Sequence, residues 1–131
     1  MSTTSETKPA SKMLFWIGCV ITALPVLMLT MSAVMKFAKP APVVEGMAKL
    51  GFPDHLLFGL GIVEVCCTVL YIIPQTSVLG AILLTGYLGG ATAAHVRVGD
   101  SFIATVVLGV LVWLGLYLRD RRISALIPFR S

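Results

Sequence analysis

Four long apolar segments limit the folds open to this chain more than any other feature. They cover residues 13–35, 55–73, 77–96 and 102–118, and polar or proline-containing stretches separate them. A helix rises about 1.5 Å per residue, so about 20 apolar residues cross the roughly 30 Å hydrocarbon core of a bilayer. Each segment therefore predicts a transmembrane helix. Together they predict an all-α fold, an integral membrane four-helix bundle, as one domain over residues 13–118.

The composition supports a membrane protein. Hydrophobic residues make up 57% of the 131 residues and charged residues only 12%, whereas a soluble domain carries about 25% charged residues. The formal net charge is +4, and the basic residues flank the apolar segments. This distribution predicts contact with the anionic headgroups of membrane lipids. No nucleic-acid partner is predicted, because the interleaved basic and aromatic residues of such binders are absent.

The polar stretches around the apolar segments predict three further elements. Residues 1–12 are rich in Ser and Thr without periodicity, which predicts a disordered N-terminal tail. Residues 119–131 form a basic C-terminal tail. Between the first two segments, residues 41–52 place apolar side chains near one helical face, and Glu45 and Lys49 form an i,i+4 pair. This pattern predicts a short amphipathic helix on the membrane surface.

Four membrane crossings would place both termini on the same side. The linker at residues 74–76 is long enough only for a tight turn, so the third helix should run antiparallel to the second. The side with the termini carries six basic residues and the opposite side four: Lys8, Lys12, Arg119, Arg121, Arg122 and Arg130 against Lys36, Lys39, Lys49 and Arg97. This difference predicts a multi-pass membrane protein with both termini in the cytoplasm.

Glu64 is the single charged residue in the interior of the second apolar segment. A carboxylate at that depth costs about 3 kcal/mol on insertion scales, so it should face protein or trapped water, and it marks a candidate functional site. A neutral Glu64 would hydrogen-bond Thr68, Thr85 or Tyr87. An ionised Glu64 would pair with Lys36 or Arg97. In either state it is a candidate proton carrier or ligand anchor.

The predicted topology brings a basic rim to the membrane side of residues 41–52. The end of the first helix, the start of the second and the end of the third all meet there. The candidate ligand- or proton-binding residues are therefore Glu64, Lys36, His95, Arg97, Tyr87 and His55. An alternative interpretation is that the rim cations reach lipid headgroups and the two histidines cap helix ends.

Small residues and one proline predict where the helices pack. Gly61 shares a helical face with Glu64, which should therefore point toward the bundle interior. Gly86 and Gly90 form a GxxxG pair, which predicts a close contact between helices. Pro25 lies near the centre of the first segment, where it predicts a kink or a cavity wall beside Glu64.

No metal site or redox-active dithiol is predicted. Two histidines and a carboxylate can bind iron or zinc, but the sequence has no HxxxH or ExxH spacing to pre-form such a site. Cys19, Cys66 and Cys67 lie in apolar segments without CxxC spacing, which predicts packing residues; a redox pair is the alternative. Phosphate-binding loops, dinucleotide fingerprints and Ser/His/Asp triads are also absent.

Several short motifs occur in an order that is more specific than any one of them. They are residues 32–37 (SAVMKF), 59–64 (GLGIVE), 70–74 (LYIIP), 79–91 (LGAILLTGYLGGA) and 95–97 (HVR). On these residues the chain resembles the DoxX-like family of small bacterial four-helix membrane proteins. The resemblance covers nearly everything after the N-terminal tail. It implies an integral membrane bundle in which Glu64 and the basic residues form the shared site.

The resemblance also implies a redox-linked role. Relatives include a subunit linked to thiosulfate:quinone oxidoreduction and a component of a membrane oxidoreductase assembly. We therefore expect an accessory or ligand-binding subunit that takes a quinone or another small amphipathic molecule. Its partner would be a membrane redox protein or a second copy of the chain.

Two other functions stay open at this point. Small multidrug exporters also have four helices and one membrane-embedded Glu, although in their first helix, so a small proton-coupled transporter is one alternative. A non-catalytic scaffold for larger membrane partners is the other. Whether the chain is an enzyme is left undecided by its residues.

Overall fold

The computed structural model describes the backbone of residues 4–126 and the side chains of residues 12–126. The helices are α1 (Thr4–Ala38), α2 (Ala41–Lys49), α3 (Leu57–Ile72), α4 (Ser77–Arg97), α5 (Ile103–Arg119) and α6 (Arg121–Leu126). Short 3₁₀ turns, Asp54–Leu56 and Pro74–Thr76, lead into α3 and α4. The described residues contain helices and no strand, so the predicted all-α class is confirmed.

Among the described residues, three helical segments are long and apolar enough to cross a membrane: Lys12–Ala38, Asp54–Ile72 and Pro74–Arg97. The fourth, α5, is apolar and has 17 residues, which is near the lower limit of the roughly 17–25 residues that span a bilayer. Helix α1 packs against α3 and α5, and α4 packs against the same two helices. Large apolar side chains cover the outside of this bundle. The chain is a multi-pass membrane helical bundle.

Helix α1 extends further toward the N-terminus than the sequence predicts. It begins at Thr4, so much of the tail predicted to be disordered over residues 1–12 is helical, while residues 1–3 lie outside the described part. Adding residues to an existing helix costs far less than nucleating one, which explains the extension. The helix also continues without a break through the buried Pro25. In the basic C-terminal tail, residues 121–126 form α6 and residues 127–131 lie outside the described part.

Helix α2 is the short helix predicted between the first two apolar segments. It ends at Lys49, and Leu50 is its C-cap. The next residue, Gly51, has a φ of +97°, which a side chain would strain. The amide of Phe52 donates to Met47 O at 2.8 Å and so closes the helix end. Arg97 Nη2 donates to Leu50 O at 2.5 Å. The end of α4 thereby holds α2 across one end of the bundle.

The opposite end of the bundle, next to the Pro74–Thr76 turn, is closely packed through small residues. A Cβ on Gly18 of α1 would lie 2.9 Å from the backbone nitrogen of Arg119, and one on Gly115 of α5 would meet Thr22. A Cβ on Gly80 of α4 would meet the backbone of Tyr71 in α3. These glycines let the helix backbones approach closely at this end. Fully buried side chains, Tyr71, Leu84, Val112 and Leu116, fill the space between them.

The GxxxG pair does not make the close contact that the sequence predicts. A Cβ on Gly86 or Gly90 would have no other atom within 4 Å. Both glycines instead line a cavity, because no atom of a neighbouring helix approaches this part of α4. Gly61 does lie against another helix, since a Cβ there would be 2.7 Å from the ring of Phe37.

Candidate functional site

A cavity of about 840 Å³ lies inside the bundle beneath α2. Its walls are mainly apolar and come from α1, α3, α4 and α5, while α2 covers part of it. The apolar lining residues are Met28, Leu29, Met35, Val43, Met47, Leu50, Phe52, Leu60, Leu88, Ala91, Ala94 and Leu108. Four of its ionisable and hydroxyl side chains belong to the predicted site: Lys36, Glu64, Tyr87 and His95. The other four are Ser32, Lys49, Asp100 and Thr105.

Glu64 and Lys36 form a buried ion pair in the wall of this cavity. Lys36 Nζ lies 3.0 Å from Glu64 Oε1, and the two side chains are 10% and 2% exposed, respectively. Lys36 also donates to Ser32 Oγ at 2.6 Å, and Ser32 Oγ donates to Glu64 Oε1 at 3.2 Å. The three groups therefore form a closed hydrogen-bonded triangle that joins α1 to α3.

The directions of the two helices explain why these side chains meet. Side chains on a helix tilt toward its N-terminus. Lys36 is near the C-terminal end of α1, so its amine points away from α2 and into the bundle. Glu64 is in the antiparallel α3, whose N-terminal end lies next to α2, so its carboxylate points back toward α2. Ser32 lies one turn before Lys36 on the same face of α1 and completes the contact.

Tyr87 and His95 of α4 line the same cavity as the ion pair. Tyr87 contributes a phenol hydroxyl to the lining. The ring nitrogen Nδ1 of His95 donates to Ala91 O at 2.8 Å. Because a carbonyl oxygen only accepts, Nδ1 carries a proton, and Nε2 is the acceptor of the neutral ring. The cavity thus combines an ammonium group, a carboxylate, a phenol and an imidazole within mainly apolar walls.

Two of the predicted rim residues do not join this site. Arg97 is bound to the carbonyl of Leu50, and His55 is exposed in the turn before α3. Helical geometry accounts for both positions. Residues two apart differ by about 200° around a helix and residues nine apart by about 180°, so Arg97 points away from His95 and His55 points away from Glu64.

Two of the predicted hydrogen-bond partners of Glu64 also bind elsewhere. Thr68 Oγ1 donates to the backbone carbonyl of Glu64 at 2.7 Å, not to its carboxylate. Thr85 Oγ1 donates to Ala81 O at 2.7 Å and accepts from Trp113 Nε1 at 2.6 Å. Of the two states left open by the sequence, the geometry matches Glu64 paired with Lys36.

Sequence reasoning missed the contact that ties α2 to the far side of the cavity. Lys49 Nζ lies 3.1 Å from Asp100 Oδ1, in the linker between α4 and α5, and both residues line the cavity. The two residues are 51 positions apart, so no local spacing predicts the pair. Ser32 was detectable, because its i,i+4 spacing from Lys36 places both on one face.

The cysteines and histidines do not converge in the described part of the chain. There, no group of three or more His, Cys, Asp or Glu side chains is arranged to hold a metal ion. Cys19, Cys66 and Cys67 have free thiols, and the adjacent pair diverges, since Cys66 is exposed on the outside of the bundle and Cys67 is buried.

One of three comparisons with known proteins found a match, and it agrees with this architecture. No curated protein and no solved structure matches the chain significantly. The model of the DoxX-like family matches residues 20–115, a range that contains most of α1, all of α2, α3 and α4, and most of α5. The buried pair of Lys36 and Glu64 and the cavity side chains Tyr87 and His95 all fall within the match. The chain belongs to the DoxX-like family.

Proposed function

We propose that this protein is an accessory subunit of a membrane redox system, and that it binds a quinone or a similarly shaped amphipathic molecule. The observation that carries the proposal is the cavity beneath α2, where one buried ion pair lies in mainly apolar walls. Ligand sites of small molecules have this character, with volumes of about 300–1,000 Å³ and a few polar groups that orient the ligand. The cavity volume of about 840 Å³ fits that range.

The polar groups of the cavity suit the carbonyl oxygens of a quinone ring. An ammonium group has three N–H donors, and the described hydrogen bonds of Lys36 use two of them, toward Ser32 and Glu64. The third is a donor for a ligand carbonyl. Tyr87 adds a hydroxyl group to the same wall. Isoprenoid carbons would contact Leu29, Leu60 and other apolar lining residues.

In this proposal the chain binds the quinone and a partner redox protein exchanges electrons with it. Glu64 would hold or relay the proton that accompanies quinone reduction or oxidation. The protein would lie in the inner membrane with both termini in the cytoplasm, and α2 would then cover the cavity on the outer side of that membrane. A second copy of the chain is an alternative partner.

Equilibrium binding of a short-chain quinone to the purified protein tests the proposal. We expect saturable binding by the wild-type protein. Lys36→Met should weaken it by about tenfold or more, since a hydrogen bond to a charged group contributes about 1.5–3 kcal/mol. Glu64→Gln should weaken it less, because the Lys36 amine remains. Matched controls are Lys39→Met and Glu45→Gln, which remove the same charges outside the cavity lining.

Three results would count against a quinone-binding subunit. No saturable binding by the wild-type protein, or equal losses in the control variants, would remove the support for a ligand at the ion pair. Proton-coupled uptake by proteoliposomes that is lost in Glu64→Gln would favour the transporter. Stoichiometric capture of a partner, unchanged in Glu64→Gln and without ligand binding, would favour the scaffold.

A further inference from the structure

A second groove lies at the opposite end of the bundle from the Lys36–Glu64 cavity. Its volume is about 520 Å³, and it runs between the first turns of the apolar part of α1 and the junction of α5 with α6. It is lined by Lys12, Leu14, Phe15, Tyr117, Leu118, Arg119, Asp120, Arg121 and Ser124. Basic side chains and apolar side chains thus share one groove near a membrane boundary.

Arg119 is held in this groove by neutral groups. Its Nε donates to Thr22 Oγ1 at 3.1 Å, and its Nη2 donates to the carbonyl of Tyr71 at 3.0 Å. The guanidinium also lies 4.9 Å from the centre of the Tyr71 ring. Among the side chains that the structure describes, no carboxylate forms an ion pair with Arg119. The contacts with Thr22 and Tyr71 fix the orientation of the guanidinium without neutralising it. The charge of Asp120 reaches Arg119 only at longer range.

The acidic residue in the groove is already paired. Asp120 Oδ2 lies 2.8 Å from Arg122 Nη2, and Oδ1 accepts hydrogen bonds from the backbone nitrogen and Nε of Arg122 at 2.9 and 3.1 Å. These hydrogen bonds hold the pKa of the Asp120 carboxyl below its ordinary value. Lys12 and Arg121 are exposed and have no ion pair among the described side chains. The groove thus carries a positive charge that its own acid does not neutralise.

The apolar side of the groove lies at the level of exposed aromatic rings. Phe15 and Trp16 are 43% and 60% exposed and pack edge to face with ring centres 5.7 Å apart. Aromatic side chains of this kind mark the boundary between headgroups and hydrocarbon. Leu14, Phe15 and Leu118 continue the groove as an apolar wall.

We propose that this groove binds an anionic phospholipid, with the lipid phosphate between Lys12, Arg119 and Arg121 and an acyl chain along Phe15 and Leu118. Basic pockets at membrane helix ends recognise such headgroups. A lipid is favoured over free phosphate because the cations stand directly beside an apolar wall at the aromatic level. The site is separate from the Lys36–Glu64 cavity and does not depend on the function proposed for it.

Native mass spectrometry tests the lipid site. The full chain would be equilibrated in neutral detergent with equal amounts of phosphatidylglycerol and phosphatidylcholine, and the bound lipids counted. We expect a clear preference for phosphatidylglycerol. The double variant Lys12→Gln/Arg121→Gln should lose about fivefold of that preference for each cation removed. Both residues are exposed, so the fold should be retained, and thermal unfolding would verify this. The control Lys39→Gln/Lys49→Gln makes the same charge change at the opposite membrane side.

Three outcomes would overturn the proposal. One is equal binding of the two lipids by the wild-type protein. Another is a preference for phosphatidylglycerol that Lys12→Gln/Arg121→Gln keeps, or one that both double variants lose equally. Equal loss would indicate a general charge effect. The third is saturable binding of soluble glycerol phosphate as strong as that of the lipid, which would identify a phosphate site without a lipid.

Discussion

Replacing Lys36 with methionine should destabilise the bundle by removing the cation from a buried carboxylate. Glu64 is 2% exposed, and its Oε1 lies 3.0 Å from the Lys36 amine. Breaking a buried pair from one side costs about 3–5 kcal/mol, since the remaining charge stays uncompensated. Ser32 would still donate to Oε1, so the loss should be near the lower end, about 3 kcal/mol.

Removing the charge of the other partner, Glu64, should cost less. In Glu64→Gln the amide oxygen can still accept from Lys36 and Ser32, and the flexible stem of Lys36 lets its amine move toward the membrane surface near the end of α1. We expect a loss of about 1–2 kcal/mol. The double variant Lys36→Met/Glu64→Gln contains neither buried charge, so it should be more stable than Lys36→Met alone.

Reversible chemical unfolding in mixed micelles would measure the four corners of this double-mutant cycle. Lys39→Met is the matched control, because its amine makes an exposed pair with Asp54 at 3.4 Å and such pairs contribute about 0–1 kcal/mol. The reasoning is refuted if Lys36→Met costs no more than Lys39→Met. It is also refuted if the double variant loses, relative to the wild type, the full sum of the two single losses.

Three further predictions concern the packed end of the bundle. Gly80→Ala should destabilise the protein by about 1–3 kcal/mol, since the new Cβ would meet the backbone of Tyr71. Gly86→Ala should not destabilise it, because the space around Gly86 is open. Thermal unfolding of both variants tests the difference. Tyr71→Phe should cost about 1 kcal/mol in the same assay, because the buried hydroxyl donates to a backbone carbonyl of α5 at 2.6 Å. Hydrogen bonds from Arg122 lower the pKa of Asp120. The stabilisation that they give the α5–α6 junction should be fully present above the ordinary Asp pKa of about 3.9. It should be lost as the pH falls through the lowered pKa. Unfolding measured against pH should show this acid loss in the wild type and not in Asp120→Asn.

Much of the fold could be predicted from the sequence because it depends on local properties. Membrane helices are specified by the length and hydropathy of each segment, without reference to its neighbours. The tight turn at Pro74–Thr76 and the end of α2 at Gly51 are decided within a few residues. Helix α1 begins at Thr4, before the apolar segment, since a polar stretch that looks disordered alone can be helical when it continues an apolar helix.

The candidate site was predictable in part for the same reason. Helical rotation already separates His55 from Glu64 and Arg97 from His95, so a stricter use of the 3.6-residue period could have removed both rim residues. The open face at Gly86 and Gly90 could not be predicted, because a GxxxG pair permits a close contact without specifying that a helix fills it.

The sequence by itself determined that a carboxylate lies deep within a membrane helix and faces the interior of an all-α bundle, because hydropathy and helical period are properties of one segment. Only the tertiary structure decided that Lys36 pairs with Glu64 and that a cavity opens beside them. The ion pair and the cavity both depend on how helices that are far apart in the sequence pack against one another. Close contacts at Gly18, Gly80 and Gly115 bring the helices together at one end, while a cavity lined in part by α2 lies toward the other. No single segment contains that information.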